Sequence, residues 1–135
     1  MKQLISFITG TLITTILYFL GGLDIALQTL LTFIVLDYVT GVLRAFFDKK
    51  LNSKIGFKGI IKKIGYLFIV ALSVKIDSIA GNTGAIRGVV IYFFVANEGL
   101  SIIENWAGMG LPIPQIIVDS LEQLKSGNKK EVEKK

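Results

Sequence analysis

The run Gln3–Leu23, QLISFITGTLITTILYFLGGL, decides what kind of protein this is, because its 21 consecutive residues carry no charge. A helix needs about 20 apolar residues to cross the hydrocarbon core of a bilayer. Within Leu4–Leu20 ten residues are Leu, Ile or Phe. At about −0.3 to −0.6 kcal/mol each they favour insertion by roughly 3–6 kcal/mol, before the threonines subtract some. A signal peptide would show a stronger basic start than Lys2, a shorter apolar core and a small-residue cleavage site. The run is therefore expected to be a retained membrane helix.

The whole chain agrees with this reading. Hydrophobic residues make up 52% of its 135 residues and charged ones only 19%, too few to cover the surface of a soluble domain of this size. The chain has neither Cys nor His, which removes disulfides, thiol nucleophiles, imidazole bases and the common zinc sites. No catalytic site, cofactor or metal is expected. The net charge of +5 does not point to nucleic acid, because the cations gather in one loop and the tail, between apolar runs.

Working outward, Gly21-Gly22-Leu23-Asp24 reads as a turn. A second span is expected over 25–43, interrupted only by Asp37. Arg44–Lys63 then carries seven cations against one acid, Asp48, and short loops of this kind stay on the cytoplasmic side. A third span over 64–80 is the least secure. Nine aliphatic or Phe residues contribute roughly −3 to −5 kcal/mol, against about 2.5–3.5 kcal/mol each for Lys75 and Asp77 if they sat at the helix centre. Gly81-Asn82-Thr83-Gly84 is a turn, and a fourth span covers 85–103, with Trp106 at the level of an interfacial anchor. The first span is 3–20. The expectation is an all-α membrane protein whose domain, 1–111, crosses four times with both ends inside. Residues 112–125 read as an amphipathic helix, with Ile113, Ile116, Ile117, Leu121 and Leu124 on one side and Asp119, Glu122 and Lys125 largely on the other. Residues 126–135 have no apolar periodicity and read as a disordered, charged tail.

Asp37 lies about six residues from the inner end of its span, roughly 9 Å deep at 1.5 Å per residue. Glu98 reaches a similar depth from the same side. Acids inside a membrane face a bundle interior, a partner or water. The pair is read either as lining a pore or controlling assembly, or as protonated or satisfied by Arg44, Lys62 or Lys63. Asp77 and Arg87 flank the outer turn and could pair across it as a clamp, and Lys75 is within snorkelling reach of the outer interface. Ser6, Gly10 and Thr14 recur every four residues, a spacing that lets helix backbones approach. The basic loop sets orientation, with anionic lipid headgroups as further contacts.

The segment Leu36-Asp37-Tyr38-Val39-Thr40-Gly41-Val42-Leu43-Arg44-Ala45 resembles the Asp-Tyr-x-Thr-Gly signature of a phage holin family. So does Lys49-Lys50-Leu51-Asn52-Ser53-Lys54-Ile55-Gly56-Phe57-Lys58-Gly59-Ile60-Ile61-Lys62-Lys63. The family is that of the toxin-secretion and phage-lysis holins of Gram-positive bacteria and their phages. The likeness covers about Leu30 to Asp77, and its positions here are Asp37, Thr40, Gly41, Ser53, Gly56, Gly59 and Lys63. It implies copies that gather in the host cytoplasmic membrane as a homo-oligomer, in contact with lipid and with an antiholin as a further partner. They would then open lesions through which an endolysin, or a toxin without a signal peptide, leaves. The competing reading is a small four-helix multidrug or ion transporter, with a scaffold protein as a third class.

Overall fold

The computed structural model describes the backbone of residues 1–133 and the side chains as far as Gly127. Among the described residues the chain forms five α-helices and no strand. They are α1 (Lys2–Phe19), α2 (Ile25–Phe47), α3 (Ser53–Ile79), α4 (Ala85–Gly108) and α5 (Gln115–Glu133).

Local chemistry sets the breaks. Gly21 and Gly22 take φ of 85° and 96°, a backbone state open to residues without a Cβ. Asp24 then caps α2, its Oδ1 accepting from Leu27 N at 3.0 Å. Asn52 caps α3 in the same way through Lys54 N, at 2.9 Å. Side-chain caps of this type satisfy donors that the first helical turn leaves without an intrahelical partner.

Helix α4 is the centre of the molecule, packed against α2, α3 and α5. The core joins Leu27 and Leu30 of α2, Val70 of α3, and Ile91, Phe94 and Val95 of α4, with Leu20 closing one end. Tyr66 stacks on Phe94 with ring centroids 4.3 Å apart. Helix α1 stands apart, and among the described residues none of its own is buried. Large apolar side chains such as Phe7, Phe46, Phe68 and Ile79 are exposed around the bundle, as a lipid-facing surface requires.

Three helices are long and apolar enough to cross a membrane: α1, α2 and α4. The third expected span, 64–80, falls on α3 as far as Ile79, with Ala80 as the residue that caps the helix. This is the longest helix at 27 residues, yet it is not among the three, because Lys62, Lys63, Lys75 and Asp77 interrupt its apolar run. The basic loop expected over Arg44–Lys63 is mostly helix. Helix α2 continues to Phe47 and α3 begins at Ser53. Lys54, Lys58 and Lys62 recur every four residues, which puts them on one face of a helix.

The C-terminal segment also differs. Helix α5 runs to Glu133, eight residues beyond the expected end at Lys125, through a sequence rich in Lys and Glu, which are good helix formers. Residues 134–135 of the expected disordered tail lie outside the described residues. Helix α5 packs on α4 of the same chain.

Candidate functional site

Three helices bring one cation and two acids together inside the bundle. Lys63 of α3 donates to Asp37 Oδ2 of α2 at 2.5 Å and to Glu98 Oε2 of α4. The side chains are 13%, 12% and 4% exposed, so the contact is made away from solvent. Asn105 completes the cluster. Its Nδ2 donates to Asp37 Oδ1 at 3.1 Å, to the Asp37 carbonyl at 3.3 Å and to Thr40 Oγ1 at 3.1 Å. Thr40 in turn donates to Leu36 O at 2.8 Å.

The two acids expected at equal depth are thus joined through one ammonium, and Lys63 is the residue that satisfies them. Arg44 takes another course, donating to Glu104 O at 3.2 Å and lying 3.7 Å from Asp48. Burying charge is tolerated only where partners and hydrogen bonds replace water. The ammonium lies between two carboxylates, each within hydrogen-bond reach of it. Among the described residues no group of His, Cys, Asp and Glu has the arrangement of a metal site, and the acids are held by an amine and an amide.

Beside the cluster lies a cavity of about 260 Å³, lined by Asp37, Gly41, Gly56, Gly59 and Lys63 among others, and reaching Lys50 and Asn52 of the short α2–α3 connection. Five of the seven positions singled out by resemblance therefore share one space. A Cβ on Gly41 would sit 3.5 Å from Asn105 Nδ2, and one on Gly56 would sit 3.6 Å from Tyr38 Oη. A Cβ on Gly59 meets nothing within 4 Å. These glycines keep the cavity open rather than serving close helix contact. Thr40 sits in the hydrogen-bond network, and Ser53 is the first residue of α3.

A second polar cluster ties the opposite end. Asp77 and Arg87, read as a possible clamp across the outer turn, meet through the Arg87 backbone N–H and not through its guanidinium. The Asp77 carboxylate accepts from the backbone N–H groups of Ile86 at 3.0 Å and Arg87 at 2.8 Å, where α4 begins. This satisfies a helix start whose own cap, Gly84, has no side chain. The Arg87 guanidinium points to the α1–α2 turn instead. It donates to Leu20 O at 2.7 Å, Gly22 O at 3.0 Å and Asp24 Oδ2 at 2.6 Å. The hydrogen bond from Arg87 holds the Asp24 carboxyl below its ordinary value, with the Leu27 N–H acting in the same direction. Lys75 lies 5.9 Å and 5.8 Å from the ring centroids of Tyr18 and Phe19, within the range of a cation–π contact. The Ser6, Gly10 and Thr14 face lies exposed on α1, and the Thr14 hydroxyl donates to Gly10 O at 2.8 Å.

Asn105 was not singled out from the sequence, although it lies two helical turns after Glu98 and so shares its face. Asp24 read only as a turn residue. Its partnership with Arg87 requires α2 and α4 to run side by side in the same direction, which no local pattern shows.

The model of the bacteriophage holin family matches residues 14–126, a stretch that takes in α2, α3 and α4 whole. An uncharacterised 14.9 kDa protein from the nagH 3′ region of Clostridium perfringens is 45% identical over 122 residues, covering 90% of this chain and 89% of its own. An uncharacterised protein of Listeria innocua is 40% identical over 116 residues, covering 84% and 83%. A protein of Bacillus phage phi105 named a probable holin is 35% identical over 108 residues, covering 80% of each chain. No solved structure matches.

Proposed function

The chain belongs to the bacteriophage holin family, and from that premise we propose that it acts as a holin in the cytoplasmic membrane. Copies assemble with one another and open large, non-specific lesions through which an endolysin, or a toxin lacking a signal peptide, leaves the cell. The observation that carries this reading is the family match across residues 14–126, which includes every residue of the Asp37–Lys63–Glu98–Asn105 cluster. The cluster ties α2, α3 and α4 into a unit, while the apolar α1 is left without a buried residue of its own. An apolar helix with so little partnership inside the chain suits a protein that completes its packing between copies.

In this reading α3 is a fourth crossing and both ends of the chain lie inside. The two charges that count most against α3 as a span are both engaged, Lys75 over two aromatic rings and Asp77 at the start of α4. The seven cations between Arg44 and Lys63 favour the inner side for the α2–α3 connection. A carrier of cationic substrates is less well supported, because Lys63 occupies the place between the two acids where such a substrate would bind.

The test is inducible expression in a bacterium, with membrane potential and growth followed together. A holin gives sudden arrest with loss of potential, and co-expressed endolysin then clears the culture. Unchanged potential at high expression, with altered resistance to cationic dyes, would refute the proposal in favour of transport.

A further inference from the structure

Lys54, Lys58 and Lys62 stand one turn apart on α3, and all three are exposed. At 3.6 residues per turn they share an arc centred about 140° round the helix from Lys63, whose ammonium points into the bundle. They therefore face away from the core. Among the described residues none of the three has a salt-bridge partner. Asp48, the one acid between Arg44 and Lys63, lies 3.7 Å from Arg44 instead.

The contact between Lys63 and Asp37 fixes the register of this face against α2. The two helices run antiparallel, and Gly59 and Gly41, which line the same cavity, keep the same register. Lys62 thus stands at the level of Tyr38, Lys58 near Val42 and Lys54 near Phe46. With Ile25 at the outer boundary of the hydrocarbon, about 20 residues of α2 reach the inner boundary close to Arg44. Lys54 then lies just beyond that boundary and Lys58 beside it. Lys62 is roughly 9 Å below it at 1.5 Å per residue, and its long side chain can snorkel most of the way back.

The lysines do not stand on a purely polar surface. Ile55, Phe57 and Ile61 flank them, each more than half exposed. Ammonium groups set among bare apolar side chains suit an occupant that offers phosphates and acyl chains together. Free phosphate would leave the apolar groups in water. We propose that Lys54, Lys58 and Lys62 form a docking face for anionic phospholipid of the inner leaflet. The ammoniums meet the headgroups, while Ile55, Phe57 and Ile61 lie against the upper acyl chains. The inference rests on the crossing by α2 and the inner position of the α2–α3 connection proposed above, and does not require that lesions open.

The chain has no Cys, so Ile61→Cys carries a single fluorophore. The full chain is placed in vesicles of phosphatidylcholine and phosphatidylglycerol. Quenching by nitroxide-labelled phosphatidylglycerol is compared with quenching by phosphatidylcholine carrying the same label, with Leu12→Cys on α1 as the reference site. The expected result is a preference for phosphatidylglycerol at Ile61 roughly fivefold or more above that at Leu12, the worth of one lysine near an anionic surface. Lys58→Gln with Lys62→Gln should bring it down to the Leu12 value, and Lys58→Arg with Lys62→Arg should retain it. Lys2→Gln with Lys125→Gln, which removes the same charge elsewhere, should leave it in place. No preference over Leu12, an equal loss in the Lys2 and Lys125 variant, or displacement by inorganic phosphate at matched ionic strength would overturn the proposal. Dye release from the same vesicles is scored separately. A preference without release leaves the lipid face standing and counts against the lesion alone.

Discussion

Replacing Lys63 by Met removes the cation but keeps its volume, and the cost distinguishes two accounts of the cluster. If each contact were an ordinary interhelical hydrogen bond, the loss would be about 0.6 kcal/mol and at most about 1.7 kcal/mol, the range measured for such bonds inside membranes. The structure argues for more. Glu98 is 4% exposed and Asp37 12%, so without Lys63 two carboxylates remain facing each other away from water. Breaking a buried ion pair by removing one partner costs about 3–5 kcal/mol, most of it from the charge left behind. Lys63→Met should therefore lose about 3–5 kcal/mol in a denaturation series in mixed micelles, followed by the fluorescence of the single tryptophan, Trp106. Adding Asp37→Asn and Glu98→Gln removes the stranded charges. This triple variant should recover to within about 1–2 kcal/mol of the parent, since well-packed neutral groups often replace a buried ion pair at little cost. A single-variant loss below about 1.7 kcal/mol, or a triple variant no better than the single, would refute the reasoning.

Further predictions concern the other contacts. Gly99→Ala should cost about 1–3 kcal/mol through overpacking, because its Cβ would lie 2.6 Å from a methyl of the buried Leu121 on α5, and should speed proteolysis within residues 109–114; Leu121→Ala, which removes the side chain seated on α4, should speed it as well. Because Arg87 lowers the Asp24 carboxyl, the stability from that pair is fully present above the ordinary carboxylate value and is lost as pH falls through the lowered one. The gap in melting temperature between the parent and Asp24→Asn should shrink on acidification, and a gap independent of pH would count against the pairing. Arg87→Lys should destabilise almost as much as Arg87→Ala in the same melts, because one ammonium does not reproduce a fork that reaches Leu20 O, Gly22 O and Asp24 together.

Much of this architecture can be read along the chain because membrane spans are written in composition. The unbroken run before Gly21 marks α1, and Asp37 and Glu98 stand out because acids are costly in apolar stretches. Their shared depth follows from counting residues at fixed rise. Lys63 was harder to separate from Arg44 and Lys62, since all three lie near the same end and only packing selects one. The start of α3 was hidden because Lys54, Lys58 and Lys62 register as loop charge when counted, and as a helical face only once the four-residue spacing is weighed. The Gly99–Leu121 contact and the cap supplied by Asp77 were not legible at all. Both depend on helices meeting across space, where a missing Cβ or a distant carboxylate becomes useful.

The isolation of α1 has a consequence for genetics. Because this segment adds almost nothing to the shared core, apolar substitutions along Leu4–Phe19 should leave α2–α5 folded. Random mutagenesis would then sort itself by location. Lesions in the packed helices would act through loss of the protein, whereas those in the leading segment would yield full-length, correctly inserted product with altered behaviour. Suppressors of the second group would mark the neighbours it meets in a population of molecules.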